Sequence, residues 1–249
     1  MPPRLQCHRG LWVGGVRENT LASLRKAYEA GYQISEFDIR ITQDQKVILF
    51  HDDFIKGQKI SKMTLAQMSK LMDVDTFESV LKWHKKTREI FVSPLQKKNS
   101  NLKYSFYLNI EIKSKFVRDR RLEKQVLDLI LKYGVQDSVL VSSFNPLSLF
   151  YFRKNYPAIT RALLLTYNND HGNNFVVKSQ ILNFFAFPHF LHLDEKYWRK
   201  NKYKKLLDFK VPVVLWTCND LDKVEKYFKQ GIYGVISDRL TPEEINKIT

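Results

Sequence analysis

The sequence predicts an α/β protein closed into a TIM-type (β/α)8 barrel, with a β-hairpin and a small insertion after the second strand. Three features lead there. Short apolar strands alternate with amphipathic helical stretches along the chain, an order that gives parallel strands joined by helical crossovers. About eight such units can be traced, the number that closes a barrel rather than leaving an open sheet. No G-x-G-x-x-G follows the first strand, so a doubly wound sheet stands as the alternative without its signature. With 249 residues, 44% of them hydrophobic and 13% aromatic, the chain can fill one large core. We read residues 1–249 as a single domain, because no repeat, low-complexity tract or long linker divides them.

The predicted strands, in order, begin with Leu5 to His8, which leaves His8 and Arg9 at the strand's C-terminal end. Asn19 or Thr20 is placed to cap the helix that starts at Leu21. Ile34 to Thr42 and Lys46 to His51 are both strand-like, yet only the three residues QDQ separate them. A parallel crossover needs on the order of a dozen residues, so these two form an antiparallel hairpin. With the turn centred on Asp44 and Gln45, Asp38 is expected opposite His51. Glu36 and Asp38 then share one face, and Phe37, Ile39 and Ile41 the other.

A long excursion covers residues 52–105, with helical patterns at Thr64 to Met72 and Thr76 to Lys86 and an exposed loop from Thr87 to Ser105. We expect this insertion to cap the barrel mouth and to select part of the substrate. In Tyr107 to Lys113, Leu108, Ile110 and Ile112 form one face and Asn109, Glu111 and Lys113 the other. The remaining strands are Val139 to Ser143, Ala162 to Thr166, Leu191 to Asp194, Val213 to Thr217 and Val235 to Asp238. Helical stretches such as Arg120 to Lys132 and Asp222 to Gln230 lie between strands.

Glu36, Asp38 and Glu111, with His8, His51, Arg9 and Lys113, make an unusual set for the inside of a barrel. A single His or a single E-x-D pair usually has a packing or surface role. Joint placement at strand ends, where barrel enzymes build their sites, argues for chemistry. Three carboxylates without cysteine suggest a hard divalent cation, Mg²⁺ or Ca²⁺, to offset their repulsion. Such a cation plus Arg9 and Lys113 suits a phosphate ester, with one imidazole removing a proton and the other protonating the leaving alkoxide.

Composition limits the other readings. The formal net charge is +15, which fits either an anionic partner or a general lysine bias. Basic residues and apolar ones interleave in Tyr197 to Lys210, read as a solvated outer helix in preference to a lipid or nucleic-acid face. Nucleic acid is not an expected partner; weak peripheral association with an anionic membrane is the lipid alternative. Two cysteines, Cys7 and Cys218, are too few for a disulfide framework. The opening MPPRLQCHRG lacks a signal pattern and no apolar run nears a membrane span, so a cytoplasmic location is expected.

His8-Arg9-Gly10, Glu18-Asn19-Thr20, Glu36-Phe37-Asp38, His51-Asp52, Glu111-Ile112-Lys113, Ser143-Phe144, Trp216-Thr217 and Ser237-Asp238 together resemble the signature blocks of glycerophosphodiester phosphodiesterases. The resemblance implies metal-dependent hydrolysis of glycerophosphodiesters to glycerol 3-phosphate and an alcohol. By position it implies Glu36, Asp38 and Glu111 as metal ligands, His8 and His51 as the acid and base pair, and Arg9 and Lys113 as phosphate contacts. Phe144 and Trp216 are candidates for an aromatic wall over the glycerol. The chain departs from the family pattern at Arg17, where a proline usually precedes ENT, and in its Trp12, Gly14 and Gly15 loop. Two other readings stay open: a lysophospholipase D-type enzyme acting on lipids, and a barrel without chemistry that binds an acidic partner.

Overall fold

Eight parallel strands close on themselves in the computed structural model, which describes residues 3–92, 106–114, 119–166, 186–198 and 210–249. The barrel strands are β1 (Leu5–Cys7), β2 (Ile34–Ile41), β6 (Tyr107–Ile112), β7 (Val139–Ser143), β8 (Thr160–Leu165), β9 (Phe190–Asp194), β10 (Val213–Trp216) and β11 (Gly234–Ser237). Each neighbour pairs in sequence order, and β1 completes the ring by pairing with both β11 and β2. Strand ends shift by one or two residues from those read in the sequence.

Alternation decides what fills the inside. Leu140, Ala162, Phe190, Val214 and Ile236 make a separate apolar cluster contributed by five neighbouring strands. Across from it, Gln6 and Asn109 meet through a 2.8 Å amide hydrogen bond. Residues of the opposite parity, such as Phe37, Ile39, Leu108, Ile110 and Val141, pack outward under the helices in the main core. These helices include α1 (Leu21–Glu29), α4 (Arg121–Tyr133), α5 (Pro146–Asn155), α6 (Glu195–Trp198), α7 (Leu221–Lys229) and α8 (Pro242–Asn246). Thr20, rather than Asn19, caps α1, in a reciprocal box with Ser23.

The second strand turns back through β3 (Val47–Leu49), which pairs antiparallel with β2. Its register is Ile39 with Leu49 and Ile41 with Val47, one residue off the sequence reading. Thr42 and Lys46 close a three-residue loop, with Gln45 at φ 58°, the turn-plus-bulge form that an odd-length hairpin favours. Asp38 therefore stands opposite Phe50, whose N–H donates to the Asp38 carbonyl. His51 lies one residue beyond.

After His51 come the small ribbon β4 (Phe54–Ile55) and β5 (Gln58–Lys59), a 3-10 turn at Ile60–Lys62, and α2 (Leu65–Ser69). Ile55, Ile60, Met63 and Met68 of this part pack with Ile48 of β3 in a second, smaller apolar cluster. Helix α3 (Phe77–Val92) rejoins the main core through Phe77, Val80 and Leu81. The described part of the excursion is thus a small insertion followed by an ordinary barrel helix. Residues 93–105, and most of the basic run from Tyr197 to Lys210, lie outside the described residues. No helix among the described residues is long and apolar enough to cross a membrane.

Candidate active site

The C-terminal ends of β1, β2 and β6, with the segment after β3 that carries His51, bring seven of the predicted side chains together. Parity points Glu36 and Asp38 inward from β2, and parallel register sets Asp38 beside Glu111 of β6. One carboxylate oxygen of each of Glu36, Asp38 and Glu111 lies within 4.8 Å of the others, and all three residues are buried. Three buried carboxylates at that spacing repel one another strongly unless positive charge joins them.

Part of that charge is built in. Lys113 Nζ sits 2.9 Å from Asp38 Oδ1 and also pairs with Glu111. Arg9 reaches Asp38 Oδ2 with Nε at 3.3 Å and Glu18 Oε1 with its terminal nitrogen at 2.7 Å, while its backbone N–H donates to Glu36 at 3.2 Å. Arg9 has φ 55°. The next residue, Gly10, has φ 76°, and a Cβ there would lie 2.3 Å from Ser23 Oγ. The tight HRG turn therefore needs glycine, and it lays the Arg9 amide against the carboxylates.

The charges sort the carboxyls. Burial acts against an ionised Asp38, but Lys113, His51, Arg9 and the Asn19 hydrogen bond hold its carboxyl well below the usual range. Burial, then the Asp38 charge, pushes Glu36 up to about 8. Burial raises Glu111 as well, against the pull of Lys113. Glu36 Oε1 is buried without a hydrogen-bond donor among the described residues. An oxygen-only set with an orphaned, buried acceptor fits a hard divalent cation such as Mg²⁺ or Ca²⁺.

Two imidazoles flank the cluster. His8 Nδ1 lies 2.6 Å from Asp238 Oδ1, and its Nε2 is 3.9 Å from Glu36 Oε2. Burial lowers its proton affinity, yet Asp238 and Glu36 outweigh that and raise it overall. His51 Nδ1 meets Asp52 at 2.7 Å. Burial and the Lys113 charge lower its proton affinity, opposed by Asp38 and Asp52. Each imidazole thus has a carboxylate fixing one nitrogen, leaving Nε2 for chemistry. Phe144 and Trp216 form an edge-to-face pair with centroids 5.7 Å apart, and Lys113 Nζ lies 5.8 Å from the Phe144 ring.

Four supporting residues escaped the sequence reading. Asn19, read as a possible helix cap, instead donates to Asp38 Oδ2 at 2.8 Å and accepts the Asp38 N–H at 2.9 Å. Asn219 donates to Asp238 Oδ2 at 2.7 Å and accepts its N–H at 2.9 Å. Asp238 itself was read only as part of a motif. Arg40 continues the inward parity of Glu36 and Asp38, the one signal that marked it; its Nε donates to the His51 carbonyl at 2.8 Å, and it ion-pairs Asp53. His192 and Asp194 share the inward face of β9, but His192 is fully buried below the mouth. His84 is a core residue bonded to Ser138 Oγ at 2.8 Å; His171 lies outside the described residues. Glu18 pairs with Arg9.

A family model described as the glycerophosphoryl diester phosphodiesterase family matches residues 8–241. A glycerophosphodiester phosphodiesterase of Caldanaerobacter subterraneus is 26% identical over 231 residues, covering 90% of this chain and 89% of that protein. An uncharacterised protein of Bacillus subtilis and a glycerophosphodiester phosphodiesterase of Bacillus altitudinis are each 29% identical, over 65% of this chain; the matches span 66% of each relative's length, just under two thirds. Among solved structures, an Oleispira antarctica phosphodiesterase in complex with the product sn-glycerol-3-phosphate superposes with a TM-score of 0.73 at 22% identity, covering 99% of this chain and 96% of that one. That likeness establishes the shared fold.

Proposed function

The chain belongs to the glycerophosphoryl diester phosphodiesterase family, and from that premise we propose that it hydrolyses glycerophosphodiesters to glycerol 3-phosphate and an alcohol with a divalent cation bound. The observation that carries the reading is the meeting of Glu36, Asp38 and Glu111 beneath two carboxylate-backed imidazoles. Glu36, Asp38 and Glu111 would hold Mg²⁺ or Ca²⁺, which when bound supplies Lewis-acid stabilisation of charge on the phosphoryl oxygens.

Arg9 and Lys113 add fixed positive charge where the phosphate would lie. His8 and His51 act as an acid and base pair: one takes a proton from the attacking water, or from the neighbouring glycerol hydroxyl, as that oxygen bonds to phosphorus, and the other gives a proton to the departing alkoxide as its phosphorus–oxygen bond breaks. Where the glycerol hydroxyl attacks, water then opens the cyclic phosphate to glycerol 3-phosphate. Asp238 and Asp52 hold the two rings in the tautomer and orientation this requires. Phe144 and Trp216 offer an apolar, C–H-accepting wall for the glycerol carbons.

Release of glycerol 3-phosphate from glycerophosphocholine, glycerophosphoethanolamine and glycerophosphoinositol tests the reading, with Mg²⁺ or Ca²⁺ and with chelator. Turnover that chelator abolishes and added cation restores is expected. No turnover of any of these diesters with any divalent cation would overturn it. Asp38→Asn is expected to lose cation affinity and activity together, and retained activity would remove Asp38 from the ligand set.

A further inference from the structure

Parallel pairing of β1 with β11 sets Cys7 beside Ser237, and the next residue of each strand, His8 and Asp238, then meet at the barrel mouth. The neighbouring strand β10 leads through Thr217 and Cys218 to Asn219. The Cys218 N–H donates to the Ile236 carbonyl at 2.9 Å, which ties this segment to β11 just before Asp238. Asp220 then caps α7, its side chain accepting the Lys223 N–H. Asn219 is thus held on both sides along the chain, and Arg239 Nε donates to its carbonyl at 2.6 Å.

The donors around Asn219 fix which way its amide points. Asn219 Oδ1 lies 2.9 Å from the Asp238 backbone nitrogen, which can only donate. Ser237 Oγ already accepts the N–H groups of Arg239 at 3.3 Å and Leu240 at 3.0 Å, so its own proton goes to Asn219 Oδ1 at 2.9 Å. With two donors on Oδ1, the amide nitrogen is the atom 2.7 Å from Asp238 Oδ2. Asp238 keeps Oδ1 for His8 Nδ1 at 2.6 Å, and a carboxylate there calls for a proton on Nδ1. Burial acts against an ionised Asp238, yet the His8 and Asn219 hydrogen bonds hold its carboxyl below the usual range. Asp238 therefore accepts from the amide on one side and from the imidazole on the other, and His8 Nε2 is left on the side of Glu36.

We propose that Asn219 is a positioning residue for the reaction: its two-handed hold on Asp238 sets the carboxylate that orients the His8 ring. The inference rests on the diesterase reading and deepens it. Among the described residues the Asn219 side chain bonds only Ser237 and Asp238. Its loss therefore acts on proton transfer by His8 and leaves cation and substrate binding in place.

The test measures glycerophosphocholine hydrolysis with saturating divalent cation. Asn219→Ala is expected to lower kcat roughly 10- to 100-fold, the scale of a misplaced catalytic group, with KM and cation affinity within about twofold of wild type. Asn219→Asp sets two carboxylates against each other, and Asp238→Asn removes the charge that Asn219 holds, so each alone is expected to lose kcat. Combined, the two changes exchange amide and carboxylate: the carboxylate at position 219 accepts every donor around it, and the amide oxygen at position 238 still receives the His8 proton. The double variant is expected to recover roughly tenfold or more over the worse single, a coupling that independent sites do not show. Proton–nitrogen spectra of the histidine side chains give a readout apart from activity: a slowly exchanging His8 Nδ1–H in wild type, lost in Asn219→Ala and regained in the double variant. Wild-type kcat in Asn219→Ala, a loss carried by KM or by cation affinity, or an unchanged Nδ1–H resonance would overturn the inference. If Asn219→Ala does not fold, the double variant decides, and one no better than the worse single overturns it as well. If wild type hydrolyses no diester, the diesterase reading falls, while the resonance still decides whether Asn219 orients His8.

Discussion

Asn19→Ala isolates the support behind a single ligand. Asn19 is 4% exposed and grips Asp38 at both ends, through a side-chain donor at 2.8 Å and a side-chain acceptor at 2.9 Å. Losing the hydrogen bond to the charged carboxylate costs about 1.5–3 kcal/mol, and leaving the buried Asp38 N–H without an acceptor costs about 1–3 kcal/mol. Alanine at the φ of 51° that Asn19 adopts adds roughly 1 kcal/mol of backbone strain. The terms overlap, so a loss of about 3–5 kcal/mol in urea unfolding of the cation-free protein is expected. Divalent affinity by calorimetric titration should fall roughly 10- to 100-fold, the usual consequence of removing a group that orients a ligand. Asn19→Gly relieves the strain but restores neither hydrogen bond, so it should recover about 1 kcal/mol of stability and none of the affinity. Asn19→Asp keeps the acceptor for the Asp38 N–H but sets a second carboxylate against Oδ2, which predicts a carboxylate-crowded site with poor stability when cation-free. If Asn19→Ala unfolds within 1 kcal/mol (order of magnitude) of wild type and binds cation equally well, the two hydrogen bonds do not position Asp38.

Arg40→Ala removes the side chain that holds the His51 carbonyl and pairs with Asp53; on glycerophosphocholine, kcat should drop roughly tenfold or more with KM nearly constant, and Arg40→Lys should recover part of it. A proportionate rise in KM instead would mean that Arg40 acts by binding. His84 and His192 are buried, and desolvation lowers each from 6.5 to about 3. Both are neutral in the folded and unfolded states above pH 6.5, and below it only the unfolded chain takes up the proton. Stability is therefore lost as pH falls from 6.5 towards 3, by roughly 2–3 kcal/mol per histidine at pH 4.5. Urea midpoints between pH 7 and pH 4.5 should fall less steeply in His192→Leu than in wild type, and an equal slope would show that His192 is not the source.

The barrel, the hairpin and the seven converging side chains were legible because each follows from short-range rules. Parity along Ile34–Ile41 puts Glu36 and Asp38 on one face, and a three-residue connection forces the chain to double back. The register was off by one because hairpin pairing depends on whether the loop holds an even or odd number of residues, and Gln45 adopts a positive φ that nothing in its type announces. The links from Asn19 to Asp38 and from Asn219 to Asp238 join residues 19 apart. They depend on a loop folding over a neighbouring strand or its end, and no periodicity in the chain encodes that. Arg40 was visible in principle, sharing parity with the two carboxylates, but a basic residue near a strand end reads first as solvent-facing. The small cluster around Ile55 and Met68 shows why the insertion folds back on β3: its apolar residues are too few to form a core alone.

The polar supports explain how the barrel tolerates so much buried charge. Three carboxylates face two fixed cations, Arg9 and Lys113. Burial disfavours every one of these ionised groups, and the fold responds unequally: Asp38 collects Lys113, Arg9 and Asn19, whereas Glu36 keeps one oxygen with no donor among the described residues and has its carboxyl pushed up to about 8. The site is therefore short of positive charge on the Glu36 side, next to the His8 ring and the Arg9 amide. A structural ion-pair network would spread its cations evenly to satisfy all three acids. An uneven one, with a buried acceptor left without a donor among the described residues, leaves a place for the hard cation that we propose these acids hold.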